Sequence, residues 1–112
     1  MIPEFDLHED NPTVAISVLR LENTLKMTRG KYPIIKIIHG YGSSGKGGAI
    51  RTAIRQKLEE YVHLGKIKTF IPGEAFTAMM GYADLIFKYK NELKGDRDYH
   101  HGNDGITFVM FR

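Results

Sequence analysis

Two short stretches carry side chains that could do chemistry together. Asp6-Leu7-His8 puts a carboxylate and an imidazole two residues apart, and a glycine-rich stretch runs from His39 to Gly48. On an extended strand, residues i and i+2 share a face. Asp6 could therefore orient His8 and stabilise its protonated form. Such a pair suits a general base or acid acting on a hydroxyl or water beside a phosphodiester. The same pair, with Asp10 nearby, could instead hold a divalent metal. No metal ligand is assigned on this basis, and the cofactor stays open. Taken alone, D-x-H is a weak signal, because polar residues near a strand end are often plain surface.

The second stretch reads Gly40-Tyr41-Gly42-Ser43-Ser44-Gly45-Lys46-Gly47-Gly48. It nearly matches the phosphate-cradling G-x-x-x-x-G-K-[ST] loop, but Gly47 stands where a Ser or Thr hydroxyl should hold magnesium. The later strands expected at Lys66 to Ile71 and Ile106 to Phe111 supply no carboxylate for the metal, so nucleotide hydrolysis is disfavoured. The physics of anion binding survives the failed motif. Glycines let backbone N–H groups approach an anion closely, and the start of a following helix adds partial positive charge. Lys46 and Arg51 could add full charges. His39 stands at the junction, able either to contact phosphate or to pack and hydrogen-bond at the turn. Tyr41 could stack on a base or cover the local core. His63, at a helix end, and Tyr99-His100-His101, in a polar loop, read as bystanders.

These groups need elements to position them. Ile2 to His8 reads as a short strand. Asn11-Pro12 opens a helix, with Val14, Val18, Leu21 and Leu25 at helical spacing and Ala15 and Leu19 widening the stripe. Gly30 ends it. Ile34 to His39 is a β-branched strand. A second helix, about Ala49 to Val62, buries Ile50, Ala53, Ile54, Leu58, Tyr61 and Val62 and leaves Arg51, Arg55 and Lys57 largely outside that stripe. Lys66 to Ile71 is a third strand, stopped by Pro72-Gly73. One helix is expected from about Tyr82 to Leu93. Ile106 to Phe111 is a final strand, apolar enough to be buried on both faces. The order β-α-β-α-β-(α)-β predicts an α/β fold with the first strands parallel and the last one free to run antiparallel. Ligands of open α/β sheets bind beyond the carboxyl ends of the strands, which is where Asp6, His8, His39 and the glycine turn fall.

Composition bounds the function class. The chain has 112 residues, 42% of them hydrophobic and 26% charged, which suits one globular domain spanning residues 1–112. The absence of cysteine removes disulfides, thiolate metal sites and cysteine nucleophiles. No apolar run nears the roughly 20 residues of a membrane span, and the acidic opening MIPEFDLHED does not resemble a signal peptide. No membrane partner is expected, and the cytoplasm is the default compartment. The net charge of +3 is unevenly spread: residues 31–68 carry eight Lys/Arg against two Asp/Glu. A positive field there suits phosphate and hence nucleic acid, though a solvated helix face would look the same.

Together, Asp6-Leu7-His8 closing the first strand and Ile37-Ile38-His39-Gly40-Tyr41-Gly42 closing the second resemble the small MutS-related (Smr) domain. The glycine-rich lead into a helix carrying Arg51, the strand with Phe70, and the last strand after Asn103-Asp104-Gly105 fit as well. The resemblance covers about residues 4–74 and 103–112. It implies a two-layer α/β sandwich with a mixed four-stranded sheet, similar to the C-terminal domain of translation initiation factor three. It also implies nucleic-acid binding through the glycine loop and, as in several family members, endonuclease or nicking activity on DNA or RNA. Asp6 and His8 would then be the catalytic candidates, and His39, Gly40 and Gly42 would shape the binding loop. Three features depart from the family pattern: Glu9 stands where Gly usually follows the histidine, the glycine loop is longer, and about residues 75–101 read as an insertion. A non-catalytic nucleic-acid-binding module, or a small phosphate- or nucleotide-binding protein, are the competing readings. DNA against RNA and the oligomeric state are not decided by the residues.

Overall fold

The computed structural model describes residues 1–40 and 47–112. The strands are β1 (Glu4–Asp6), β2 (Ile34–Ile38), β3 (Thr69–Pro72) and β4 (Ile106–Met110). The helices are α1 (Val14–Thr28), α2 (Gly47–His63), α3 (Ala83–Lys88) and α4 (Lys90–Leu93), with a 3₁₀ turn at Gly73–Phe76. The strands form one mixed sheet in the order β1-β2-β4-β3. β1 runs parallel to β2, and β4 runs antiparallel to both β2 and β3. The carboxyl ends of β1, β2 and β3 therefore share one end of the sheet with the amino end of β4. The register brings Asp6 beside Ile38, Ile38 beside Ile106, and Pro72 beside Thr107.

Both faces of the sheet are covered. Ile35, Ile37, Phe70 and Val109 pack with Leu21 and Leu25 of α1 and with Ile50, Ile54, Leu58 and Tyr61 of α2. Ile34, Ile71, Ile106, Phe108 and Met110 pack on the opposite side with Ala75, Tyr89 and Leu93. The expected two-layer sandwich is thus corrected to three layers, the third built from residues 73–101. The physical reason is visible in β4: all five of its residues are buried, and a strand apolar on both faces needs cover on both. The segment expected as an insertion supplies that cover.

Local differences have local causes. The α1 cap is Thr13, whose hydroxyl accepts from the Ile16 N–H, and not Asn11, whose φ is +50°. Val14 and Leu19 of the expected stripe are exposed. The helix instead turns inward Ser17, Leu21, Thr24, Leu25 and Thr28. Small hydroxyl residues can be buried when their donors are satisfied, and Ser17 donates to the Leu7 carbonyl while Thr28 donates to that of Thr24. The single helix expected from Tyr82 to Leu93 is two, broken at Tyr89 (φ −101°, ψ 12°), whose buried ring sends its hydroxyl to the carbonyl of Arg112.

Candidate functional site

β1 ends at Asp6 because its side chain offers the backbone another partner. The Asp6 carboxylate accepts the N–H of His8 at 2.8 Å, an Asx-type turn that leads the chain off the sheet. Two residues of α1 fix the turn from the other side. The Leu7 carbonyl accepts from Ser17 Oγ at 3.2 Å and from Arg20 at 3.3 Å, and Arg20 also donates to the Glu9 carbonyl at 2.7 Å. Asp6 therefore holds His8 through the backbone, which corrects the expectation that its carboxylate orients the imidazole directly.

The His8 ring lies against Gly40. A Cβ built on Gly40 would stand 3.1 Å from His8 Cδ2 and 3.3 Å from Nε2, and Gly40 has φ +77°. Both observations favour glycine there: the backbone is left-handed, and a side chain would have to push the imidazole aside. His8 of the first motif thus lies beside Gly40, where the second motif begins. Gly48 stands in the first turn of α2, which opens at Gly47, and its carbonyl accepts from Thr52 Oγ1 at 2.9 Å. Arg51, half-buried one turn into α2, donates to Asp104 at 3.1 Å. The candidates Tyr41, Gly42, Ser43, Ser44, Gly45 and Lys46 lie outside the described residues.

His39 is fully buried. Its Nδ1 is 2.8 Å from the Gly40 carbonyl oxygen and its Nε2 is 2.8 Å from Thr107 Oγ1. A carbonyl can only accept, so the ring proton sits on Nδ1 and Nε2 accepts from the Thr107 hydroxyl. Burial, reinforced by the nearby positive charges of Arg55 and Arg51, pushes the His39 pKa down to about 4 against the favourable bond to Gly40. A neutral ring with both nitrogens engaged inside the protein does not contact phosphate. Of the two roles open to His39, the structure assigns the packing one.

Behind His39 stands a group that sequence reasoning passed over. Arg55 Nε donates to Thr107 Oγ1 at 3.3 Å, and its two terminal nitrogens grip Glu74 at 2.6 and 2.7 Å. Burial raises the Glu74 carboxyl, but the Arg55 fork outweighs it and holds the group below its usual range. Arg55, Glu74 and Thr107 each carried a signal. Arg55 lies one helical turn after Arg51 and so shares its face. Glu74 falls just past a strand end, as Asp6 and His8 do, and Thr107 is the one polar residue in ITFVM.

The basic segment is less free than its count suggests. Lys36 is paired with Glu4, Asp96 and Asp98, Arg51 with Asp104, Arg55 with Glu74, and Lys57 with Glu22 and Glu60. Apart from Glu60, which lies within the segment, the acids come from the acidic first thirty residues and from residues 74–104. What remains at the sheet end is the half-buried His8 ring, the backbone at Gly40, the start of α2 with its partial positive charge, and a weakly tied Arg51. This set can hold an anion and move a proton beside it. Among the described residues no group of three or more His, Asp or Glu side chains is arranged to hold a metal ion. Likewise, no helix among them is long and apolar enough to cross a membrane. Comparison with protein-family models, curated proteins and solved structures finds nothing that matches the chain.

Proposed function

We propose that the chain is an Smr-like protein that binds nucleic acid where β1 and β2 end and cleaves its phosphodiesters, with His8 as the proton-transferring group. The observation that carries the proposal is the seating of the His8 ring on Gly40 at the start of the glycine-rich turn. It joins a proton carrier to a stretch of backbone that suits an anion. His8 takes or gives the proton of the attacking or leaving oxygen. Arg51 stabilises charge that develops on the phosphate. Its single bond to the exposed Asp104 is easily exchanged, so a phosphate displaces it at small cost. Asp6 is a positioning residue, because its carboxylate is spent on the His8 amide. The sheet order and the two motifs also support kinship with the Smr fold and its likeness to the C-terminal domain of translation initiation factor three. The cytoplasm, where such substrates are met, is the compartment that goes with this reading.

The test uses purified protein with supercoiled plasmid and with labelled structured RNA, in chelator, magnesium and manganese. Wild type should cleave at least one substrate. His8→Ala should lose about 100-fold or more of the rate while binding stays within a few-fold. Cleavage that survives His8→Ala removes the mechanism. One observation favours a second reading, a binding module without catalysis: the Asp6 carboxylate serves the His8 backbone and not its ring. Binding without cleavage in every condition would decide for that module.

A further inference from the structure

The Glu74–Arg55–Thr107–His39 chain ends at Gly40, and Gly40 carries the His8 ring. We infer that Arg55, Glu74 and Thr107 are positioning residues of this site, holding the His39 ring in place and through it the Gly40 backbone on which His8 rests. The inference rests on the reading of this end of the sheet as the functional one.

Each link has its direction set by chemistry. Glu74 only accepts, and it takes both arms of the Arg55 fork, at 2.6 and 2.7 Å. Arg55 Nε only donates, so at Thr107 it can meet nothing but an oxygen lone pair. The Gly40 carbonyl only accepts, so His39 Nδ1 carries the ring proton and gives it to Gly40. Nε2 of the neutral ring is then the acceptor and takes the Thr107 hydroxyl proton, which holds the ring from its far side. The chain is also shielded: His39 and Thr107 are fully buried, where a mispaired group is costly.

Its geometry spans the molecule. Glu74 belongs to the 3₁₀ turn that begins the third layer, Arg55 to α2, Thr107 to β4 and His39 to the end of β2. Close approach locks the same corner. A Cβ on Gly73 would fall 1.8 Å from the Asn103 carbonyl oxygen, and the carbonyl of Gly105 accepts from the N–H groups of both His39 and Gly40. The third layer is thereby coupled to the site without touching it. A contribution to packing alone would not require a hydroxyl donor at His39 Nε2, which separates the two roles experimentally.

The test reads the imidazole nitrogens by long-range ¹H–¹⁵N correlation in the full chain. Wild type should give His39 as the Nδ1–H tautomer, unchanged from pH 8 to pH 5. Thr107→Val keeps the shape and removes the hydroxyl. It removes the donor to Nε2, so it should shift the His39 Nε2 resonance and the His8 ring resonances, and Thr107→Ser should restore both. Should Thr107→Val fail to fold, Glu74→Gln serves, since an amide oxygen and an NH₂ cannot take both arms of the fork. Leu25→Val, a core change remote from the chain, controls for lost stability and should leave both signatures alone. On a cleaved substrate, Thr107→Val should lower kcat about 10- to 100-fold with KM little changed. The inference is overturned if Thr107→Val leaves the His39 Nε2 or the His8 resonances as in wild type, or lowers kcat no more than Leu25→Val. If wild type cleaves nothing, the catalytic reading alone fails, and the His39 and His8 resonances still decide the positioning claim.

Discussion

His8 and His39 both sit at strand ends beside the glycine-rich turn, and their surroundings give them different work. His8 leaves the strand on a turn made by Asp6 and stays half-exposed against Gly40. His39 is sealed between Thr107 and the Gly40 carbonyl, with its pKa pushed down to about 4 by burial. That depression has a thermodynamic consequence. Above about pH 6.5 the ring is neutral whether folded or unfolded, and its contribution to stability is fully present. As pH falls from 6.5 towards 4, the unfolded chain takes up a proton that the folded chain refuses, and stability drops by up to about 3 kcal/mol. Urea midpoints measured between pH 7 and pH 4.5 should fall for wild type and fall less for His39→Gln. A His39 ring that titrates near 6.5 would contradict the burial account.

At the scale of elements, the middle of β2 is the unexpected feature. Lys36 is fully buried between isoleucines, and its ammonium reaches Glu4 at 3.0 Å, Asp96 at 2.8 Å and Asp98 at 2.7 Å, with the Phe108 ring 5.6 Å away. Burial alone would lower the Lys36 pKa, but the bonds to the three carboxylates outweigh it and raise the group above its ordinary value. Its stabilising effect is therefore complete below the usual lysine range and lost only as pH rises past it. Asp98 is the mirror case: burial raises it, the bonds to Lys36 and Asn103 win, and it ends below its usual range. The cluster ties β1 and the 94–101 segment to the centre of the sheet. Lys36→Ala would strand the Asp96 and Asp98 carboxylates, while Glu4 keeps Arg97, and should cost about 3–5 kcal/mol by denaturant melt. Lys36→Met combined with Asp96→Asn and Asp98→Asn should recover much of that loss, because a neutral cluster carries no uncompensated charge. A cost below about 1 kcal/mol for Lys36→Ala would mean the cluster does not hold the third layer.

For the whole molecule, the pairing of charges sets how nucleic acid can be held. At the proposed site Lys36 and Arg55 answer to carboxylates, which leaves Arg51 as the described cation there that a phosphate backbone can engage. Binding to single- or double-stranded nucleic acid should then show a shallow salt dependence, with a log–log slope matching about two to four phosphates. Fluorescence anisotropy at four or five salt concentrations measures it. A slope beyond about six would mean that cations away from this end of the sheet carry the binding.

Much of the fold was legible because its signals are local. β-branched runs, the three-to-four-residue rhythm of Ile50, Ile54 and Leu58, and glycine at turns act within a few residues, and they were enough to order the strands and helices. Parallel pairing of β1 with β2 then brought Asp6-Leu7-His8 to the glycine-rich turn, since strands that run the same way end at the same edge. Tertiary structure alone decided which charged groups are spent and which are free. Lys36 finds Asp96 and Asp98 across 60 and 62 positions, and Arg51 finds Asp104 across 53. It also decided that the third layer exists, that His39 is neutral, and that Arg55 faces Thr107. Electrostatic partners and burial depend on distance in space, and no periodicity along the chain records that distance.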